Sequence, residues 1–335
     1  MPAMILDGQS PATLAEAVRL LGAGQLVAFP TETVYGLGAD AMDDAAVARI
    51  FAAKGRPGDH PLIVHVSDSH AATRFAHDVP DFAQRLMAAF WPGPLTLILP
   101  RREGIAAAAA GGQASIGLRC PSHPVAQALL QAGARARPPI AGLAAPSANQ
   151  FGRVSPTTAA HVQAEFEAGL PLIIDGGPCQ VGIESTIIDC TRGVPVLLRP
   201  GVLTRERIEA ACGQPLRTQE ELAGAAPRAP GTLRSHYAPR ARVRLMEAQA
   251  LQTALDVLGE GAASIATYSR VVLLTRSAAV LRRRMPDDAA ETARQLFAVL
   301  RQFDAQGVRL IWVETPPDTP DWDGVRDRLQ RAATH

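Results

Sequence analysis

The chain has 335 residues, 47% of them hydrophobic and 19% charged, at a formal net charge of +1. That length exceeds one ordinary core and points to two domains, and the composition is that of a packed globule rather than a disordered chain. The balance stays near zero from residue 241 onward, where 13 Arg face 12 Asp plus Glu; this argues against a protein whose main work is gripping nucleic acid by bulk charge, although a local basic groove remains compatible with it.

At the N-terminus, MPAMILDGQSP lacks the charged start and apolar core of a signal peptide. No apolar stretch reaches the roughly 18 residues a membrane span needs, so the expected location is the cytoplasm, with no membrane partner. SPATLAEAVRLLGAG predicts a helix with Ser10 at the N-cap, Pro11 at N1 and Gly22 or Gly24 at its end. LVAF reads as a short buried strand, followed by the turn-rich PTETVYGLGAD. DDAAVARIFAAKG predicts a second helix with acidic residues at its start and Gly55 as its stop. PLIVHV, LTLILP and SIGLRCP read as strands, and SHPVAQALLQAG as a helix capped by Ser122. PIAGLAAPSAN runs from strand into loop, and SPTTAAHVQAEF predicts a helix with Ser155 and Pro156 as cap and N1. LIIDGG, STIIDC and VPVLLRPG add three β segments, and LTRERIEAACG a closing helix. The irregular alternation predicts an α/β domain with a mixed sheet.

From about residue 213 the periodicity fails in QPLRTQEELAGAAPRAPGTLRSHYAP, a stretch that is either linker or functional. Beyond Pro239 the pattern predicts a small α/β unit: strand ARVRLM, a helix to Leu258, strands SIATYS and VVLLT, two helices, strand VRLIWVET and a last helix near 322 to 333. It carries no GxGxxG fingerprint. Cys120, Cys179, Cys190 and Cys212 show no CxxC spacing, which favours buried free thiols over a zinc site or disulfide framework.

One observation stands out for chemistry. Lys54 is the single lysine among 33 Lys plus Arg. A Walker A loop needs GK[ST], but Lys54 precedes Gly55, and neither a kinase VAIK nor an SxxK pair is present. Lys54 and Arg56 in KGRP sit where a helix ends. They either answer the helix dipole or converge on a polyphosphate, one as a point charge and one as a fork. A dipole partner would serve as well as Arg, so retention of lysine favours a compact ammonium among phosphate oxygens. In APSANQFGRVS, Ser147 and Asn149 lie at the carboxyl edge of a strand, where α/β sheets bind ligands, or they simply build the turn. Thr31, Glu32 and Thr33 of PTETVYGLG face a small substrate or satisfy turn backbone. His65 in PLIVHV reads as a core histidine or a ligand. Arg119, in the otherwise apolar SIGLRCP, needs a partner if buried: an internal carboxylate or a substrate's. GIESTIID adds a Glu-Ser-Thr triplet.

Taken in order, KGRPGDHPLIVHV, the WPGPLTLIL run, SIGLRCP, APSANQFGRVSPT, GIESTIIDC and LLRPG resemble the YrdC-like domain of threonylcarbamoyl-AMP synthases, over roughly residues 10 to 212. PGTLRSHYAP is similar to the linker of the long, two-domain form. The resemblance implies a YrdC-like twisted mixed sheet flanked by helices over 1–212, a linker or lid containing SHYAP over 213–240, and a smaller Rossmann-like α/β domain over 241–335. It implies conversion of L-threonine, bicarbonate or CO2, and ATP into threonylcarbamoyl-AMP and pyrophosphate, feeding a separate transferase complex that modifies adenosine 37 of tRNA. A weak tRNA contact is compatible with it. By position, the resemblance assigns Thr33, His65, Arg119, Ala145 and Ser185 to threonine, with Arg119 as carboxylate clamp. It assigns Arg56, His60, Ser115, Ser147, Ser155, Arg199 and Tyr237 to ATP, and Lys54, Arg56, Ser147 and Asn149 to the phosphates. Mg2+ is expected to arrive with ATP rather than in a protein-only metal site, with no organic cofactor. The family more often carries Asn where this chain has His60. The alternatives are an RNA-binding module of the same fold and a carbamoyl-phosphate-using maturation factor; the second is disfavoured by the absence of an acylphosphatase-like segment and of clustered cysteines.

Overall fold

The computed structural model describes residues 3–166, 169–222, 226–231 and 237–334. The chain divides into two compact units, Met1–Phe151 with Ser155–Thr232, and Gly152–Val154 with Leu233–His335.

The first unit runs β1 (Met4–Asp7), α1 (Pro11–Gly22), β2 (Val27–Phe29), β3 (Gly36–Asp40), α2 (Asp44–Lys54), β4 (Ile63–His65), α3 (Ser69–Ala72), α4 (Asp81–Phe90), β5 (Leu95–Pro100), β6 (Ser115–Arg119), α5 (Pro124–Arg135), β7 (Leu143–Ala144), α6 (Ala159–Glu165), β8 (Leu172–Asp175), β9 (Thr186–Asp189), β10 (Val196–Arg199) and α7 (Arg205–Cys212). The strands form one mixed sheet in the order β1-β8-β2-β3-β7-β4-β6-β5-β9-β10. β4 and β6 run parallel, as do β5 and β9, while β5–β6 and β4–β7 are antiparallel. The mixed α/β sheet expected from the sequence is thus present.

Local chemistry explains most element ends. Asp43 accepts from the Ala45 and Ala46 amides and starts α2; Gly55, at φ 61°, ends it in the left-handed region that favours glycine. Ser10 and Pro11 stand at the cap and N1 of α1, although the Ser10 hydroxyl makes no capping bond. Two caps differ from expectation. His123, not Ser122, caps α5, its ring accepting from the Val125 amide. α6 begins at Ala159 with Thr158 as its cap, accepting from the His161 amide, while the Ser155 hydroxyl donates to Glu184. The GLGAD half of the turn-rich run is strand β3, paired antiparallel to β2. α4 was not expected, although Phe82, Ala83, Leu86 and Met87 line its buried side at helical spacing.

The second unit contains β11 (Arg242–Met246), α8 (Ala248–Leu258), β12 (Ile265–Ser269), β13 (Leu281–Arg284), α9 (Ala289–Ala305), β14 (Leu310–Glu314) and α10 (Asp323–Ala333). Its sheet is parallel throughout, in the order β11-β14-β12-β13. VVLLT is not a strand. The buried Glu314 carboxylate accepts from the Arg270 and Val271 amides at 2.7 and 3.2 Å, which turns the chain out of the sheet at the end of β12. The edge position goes instead to the charged LRRR, a composition suited to an exposed edge. One long helix, α9, stands where two were expected.

Candidate functional site

The site is built on one face of the first sheet. His65 is the register partner of Arg119, and Arg119 that of Thr96. Partners on adjacent strands project to the same side and alternate residues to opposite sides. Ser115, Gly117 and Arg119 of β6, His65 of β4 and Thr96 of β5 therefore share a face, together with the apolar Ile63, Ile98, Ile187, Val196 and Leu198. The intervening Val64, Leu97, Ile116, Leu118 and Ile188 fill the main core on the other side. Gly117 lets its neighbours pack closely over this face: a Cβ there would lie 3.2 Å from Ile98 Cδ1, close to Ile63 and Thr96.

Arg119 is the hub. It is 3% exposed, and its Nη1 donates to Thr33 Oγ1 at 2.8 Å. Its Nη2 lies 2.8 Å from Glu32 Oε1, and its Nε donates to the Gly93 carbonyl at 3.4 Å. Thr33 and Glu32 are held by the turn after β2, where Thr31 Oγ1 donates to the Val34 carbonyl at 2.6 Å and accepts from the Thr33 and Val34 amides. The Val181 amide donates to the Glu32 carbonyl. His65 is kept neutral, its pKa pushed down to about 3 by burial and by the Arg119 charge. Ala145 is buried and tied to β4 through its amide on the Ile63 carbonyl. Ser185 shares a 2.7 Å hydrogen bond with Thr96, and Arg199 grips it through both the Ser185 carbonyl and hydroxyl. Arg199 also donates to the Pro230 carbonyl at 3.1 Å. The five residues expected to meet threonine thus gather around β4, β6 and the turn after β2.

The phosphate candidates form a second knot. Lys54, at the end of α2, is 2% exposed, and its ammonium donates to the Ser147 carbonyl at 2.5 Å and to the Asn149 carbonyl. The Phe151 amide returns a bond to the Lys54 carbonyl. Burial, reinforced by Arg56, holds the Lys54 pKa well below the ordinary lysine value, with Glu165 opposing. Arg56 donates to the Pro61 carbonyl and lies over the Phe151 ring, 5.9 Å from its centroid, while His60 meets that ring edge-on. The His60 pKa is lowered by burial and by Arg56. Ser155 is buried against the Glu184 carboxylate. Tyr237 belongs to the second unit, where its ring stacks on Phe297 and lies under Arg328. Ser235 and His236 of the expected SHYAP lid lie outside the described residues. Glu184 and Thr96, which hold Ser155 and Ser185, were not assigned roles from the sequence. The signal for Thr96 was a polar residue within an apolar run, and for Glu184 its place at the head of the Glu-Ser-Thr triplet.

The comparisons with known proteins agree along the chain. A family model for Sua5, YciO and YrdC, described as "Telomere recombination", matches residues 19–201. A second, described as "Threonylcarbamoyl-AMP synthase, C-terminal domain", matches residues 203–334. The threonylcarbamoyl-AMP synthase of Pyrococcus abyssi is 40% identical over 316 residues, covering 92% of this chain and 91% of that protein. That of Bacillus subtilis is 39% identical, covering 96% and 92%. The crystal structure of P. abyssi Sua5 complexed with L-threonine superposes with a TM-score of 0.86 at 37% identity, covering 96% of this chain and 94% of that one. The chain belongs to the Sua5–YciO–YrdC family.

Proposed function

We propose that this chain is a threonylcarbamoyl-AMP synthase. It joins L-threonine, bicarbonate or CO2, and ATP to give threonylcarbamoyl-AMP and pyrophosphate, the first step toward threonylcarbamoyladenosine at tRNA position 37. The observation that carries the reading is the length of the likeness: named synthases match over 92% and 96% of the chain. The threonine ammonium first gives up a proton; the neutral amine then captures CO2 as a carbamate with loss of a second proton to solvent, and a carbamate oxygen attacks the α-phosphate as pyrophosphate leaves. Such chemistry asks for alignment and for fixed positive charge more than for a nucleophilic side chain.

In this reading Arg119 clamps the threonine carboxylate, with Thr33, His65, Ala145 and Ser185 around the rest of the substrate. Lys54 and Arg56, with Ser147 and Asn149, stabilise charge on the phosphates, and His60, Ser115, Ser155, Arg199 and Tyr237 serve the nucleotide. An ammonium has three donors. Two of those on Lys54 are taken by the Ser147 and Asn149 carbonyls, so the third is the one offered to a phosphate oxygen. The phosphates would raise the Lys54 pKa again, opposing its burial. Mg2+ accompanies ATP in this proposal. It is typically held by substrate phosphates and waters, and among the described residues no cluster of three or more His, Cys, Asp or Glu is placed to hold it alone. Residues 213–240 join the YrdC-like and C-terminal domains, and a tRNA-modifying transferase complex takes the product.

The test is pyrophosphate release from ATP, with threonine and bicarbonate each supplied and each withheld, beside Lys54→Arg. Release that requires both, and falls by roughly 10²-fold or more in the variant, is the expected result. Release in wild type that needs neither overturns the synthase. No release, with RNA binding intact, favours a binding module.

A further inference from the structure

The buried pair at the head of the site has an unresolved valence. Glu32 and Arg119 are each 3% exposed, and Glu32 Oε1 lies 2.8 Å from Arg119 Nη2. Yet the contact is not an aligned hydrogen bond: among the described residues neither Glu32 oxygen nor Arg119 Nη2 has a hydrogen-bond partner. The ion pair supplies a charge partner for Oε1 and Nη2, but Glu32 Oε2 has neither an ion-pair nor a hydrogen-bond donor among the described residues, which is costly for a buried carboxylate. An open carboxylate oxygen beside a guanidinium is the mirror of a zwitterion.

Charge balance gives the same answer. If Arg119 receives a substrate carboxylate, two carboxylates share one guanidinium, and His65, neutral beside them, adds no positive charge. The buried site would then hold a net negative charge, which desolvation penalises strongly. A substrate ammonium cancels it. We infer that Glu32 receives the α-ammonium of the amino-acid substrate, so that Glu32 and Arg119 together select a zwitterion over a simple hydroxy acid. This rests on the synthase reading given above.

Isothermal titration of the full-length protein, with ATP and Mg2+ present, compares L-threonine with (R)-3-hydroxybutanoate, the same skeleton without the amine. Wild type should prefer threonine by roughly 10- to 100-fold, the range of a hydrogen bond to a charged group. Glu32→Gln should lose that preference by weakening threonine alone, while hydroxybutanoate binds as before or tighter. If Glu32 merely braces Arg119, both ligands weaken by one factor and the preference survives, which overturns the inference. Equal binding of both ligands to wild type overturns it without any variant. Failure of wild type to bind threonine at all removes the synthase reading instead, and this inference with it. ATP affinity and the melting temperature report whether the variant is folded.

Discussion

Lys54 and His65 show how much a single side chain depends on groups that carry no sequence signature. An arginine in a strand advertises its need for a partner, so Arg119 was legible. The partners of Lys54 are backbone carbonyls, which any residue supplies, and nothing in APSAN announced that Ser147 and Asn149 meet the ammonium through the main chain. His65 left two readings open because a buried neutral histidine and a ligand histidine occupy the same kind of strand. Its burial has a measurable consequence. The folded state holds His65 with a pKa of about 3, against about 6.5 for the unfolded chain. Between those values the unfolded state binds the extra proton, so stability should fall as pH drops through that window, by up to about 1.4 kcal/mol per pH unit from this one group. His60 and His123, also lowered, act in the same direction. Urea midpoints at several pH values for wild type and His65→Asn should show a shallower acid slope in the variant. An unchanged slope would mean that His65 does not stay neutral.

Among elements, the strands were the readable part. LTLILP, SIGLR, LIID, TIID and VLLR are strands in the structure, since short apolar runs bounded by turn residues have few alternatives. Helix starts were less legible where hydroxyls compete: SPTT offers three, and Thr158 takes the cap while Ser155 donates to Glu184, a contact 29 residues away in sequence. VVLLT failed for a similar reason, since a distant carboxylate ends its strand; Val272 is left 74% exposed. Gly117 gives an element-scale test. Its two hydrogens let Ile63, Ile98 and Thr96 close over the middle of β6. Gly117→Val should force those neighbours apart, at a cost of about 1–3 kcal/mol in stability. It should also raise the threonine KM by disturbing Arg119 two residues on, while the KM for ATP moves less. Equal rises in both, or neither, would show that the strand centre does not shape the proposed amino-acid pocket.

At the scale of the whole molecule, the family models divide the chain at residues 201 and 203, and no described helix is long and apolar enough to cross a membrane. Cys120, Cys179, Cys190 and Cys212 are all buried. Burial pushes the Cys120 thiol up to about 11 and raises Cys179 and Cys190 as well. A thiol reagent at pH 8 should therefore leave the native protein unlabelled and modify all four cysteines in denaturant; fast native labelling would mean that the first unit opens well below its global unfolding. The sheet itself carries a wider consequence. Along β4, β5 and β6, the residues that face the site and those that fill the core alternate one by one. Inheritance then has two nearly separate registers written on the same strands. Drift at Val64, Leu97 or Leu118 changes how long the protein survives, and, if threonine binds on the opposite face as proposed, drift at His65, Thr96 or Arg119 changes what it accepts. A lineage can adapt to heat along one register while its substrate stays fixed along the other.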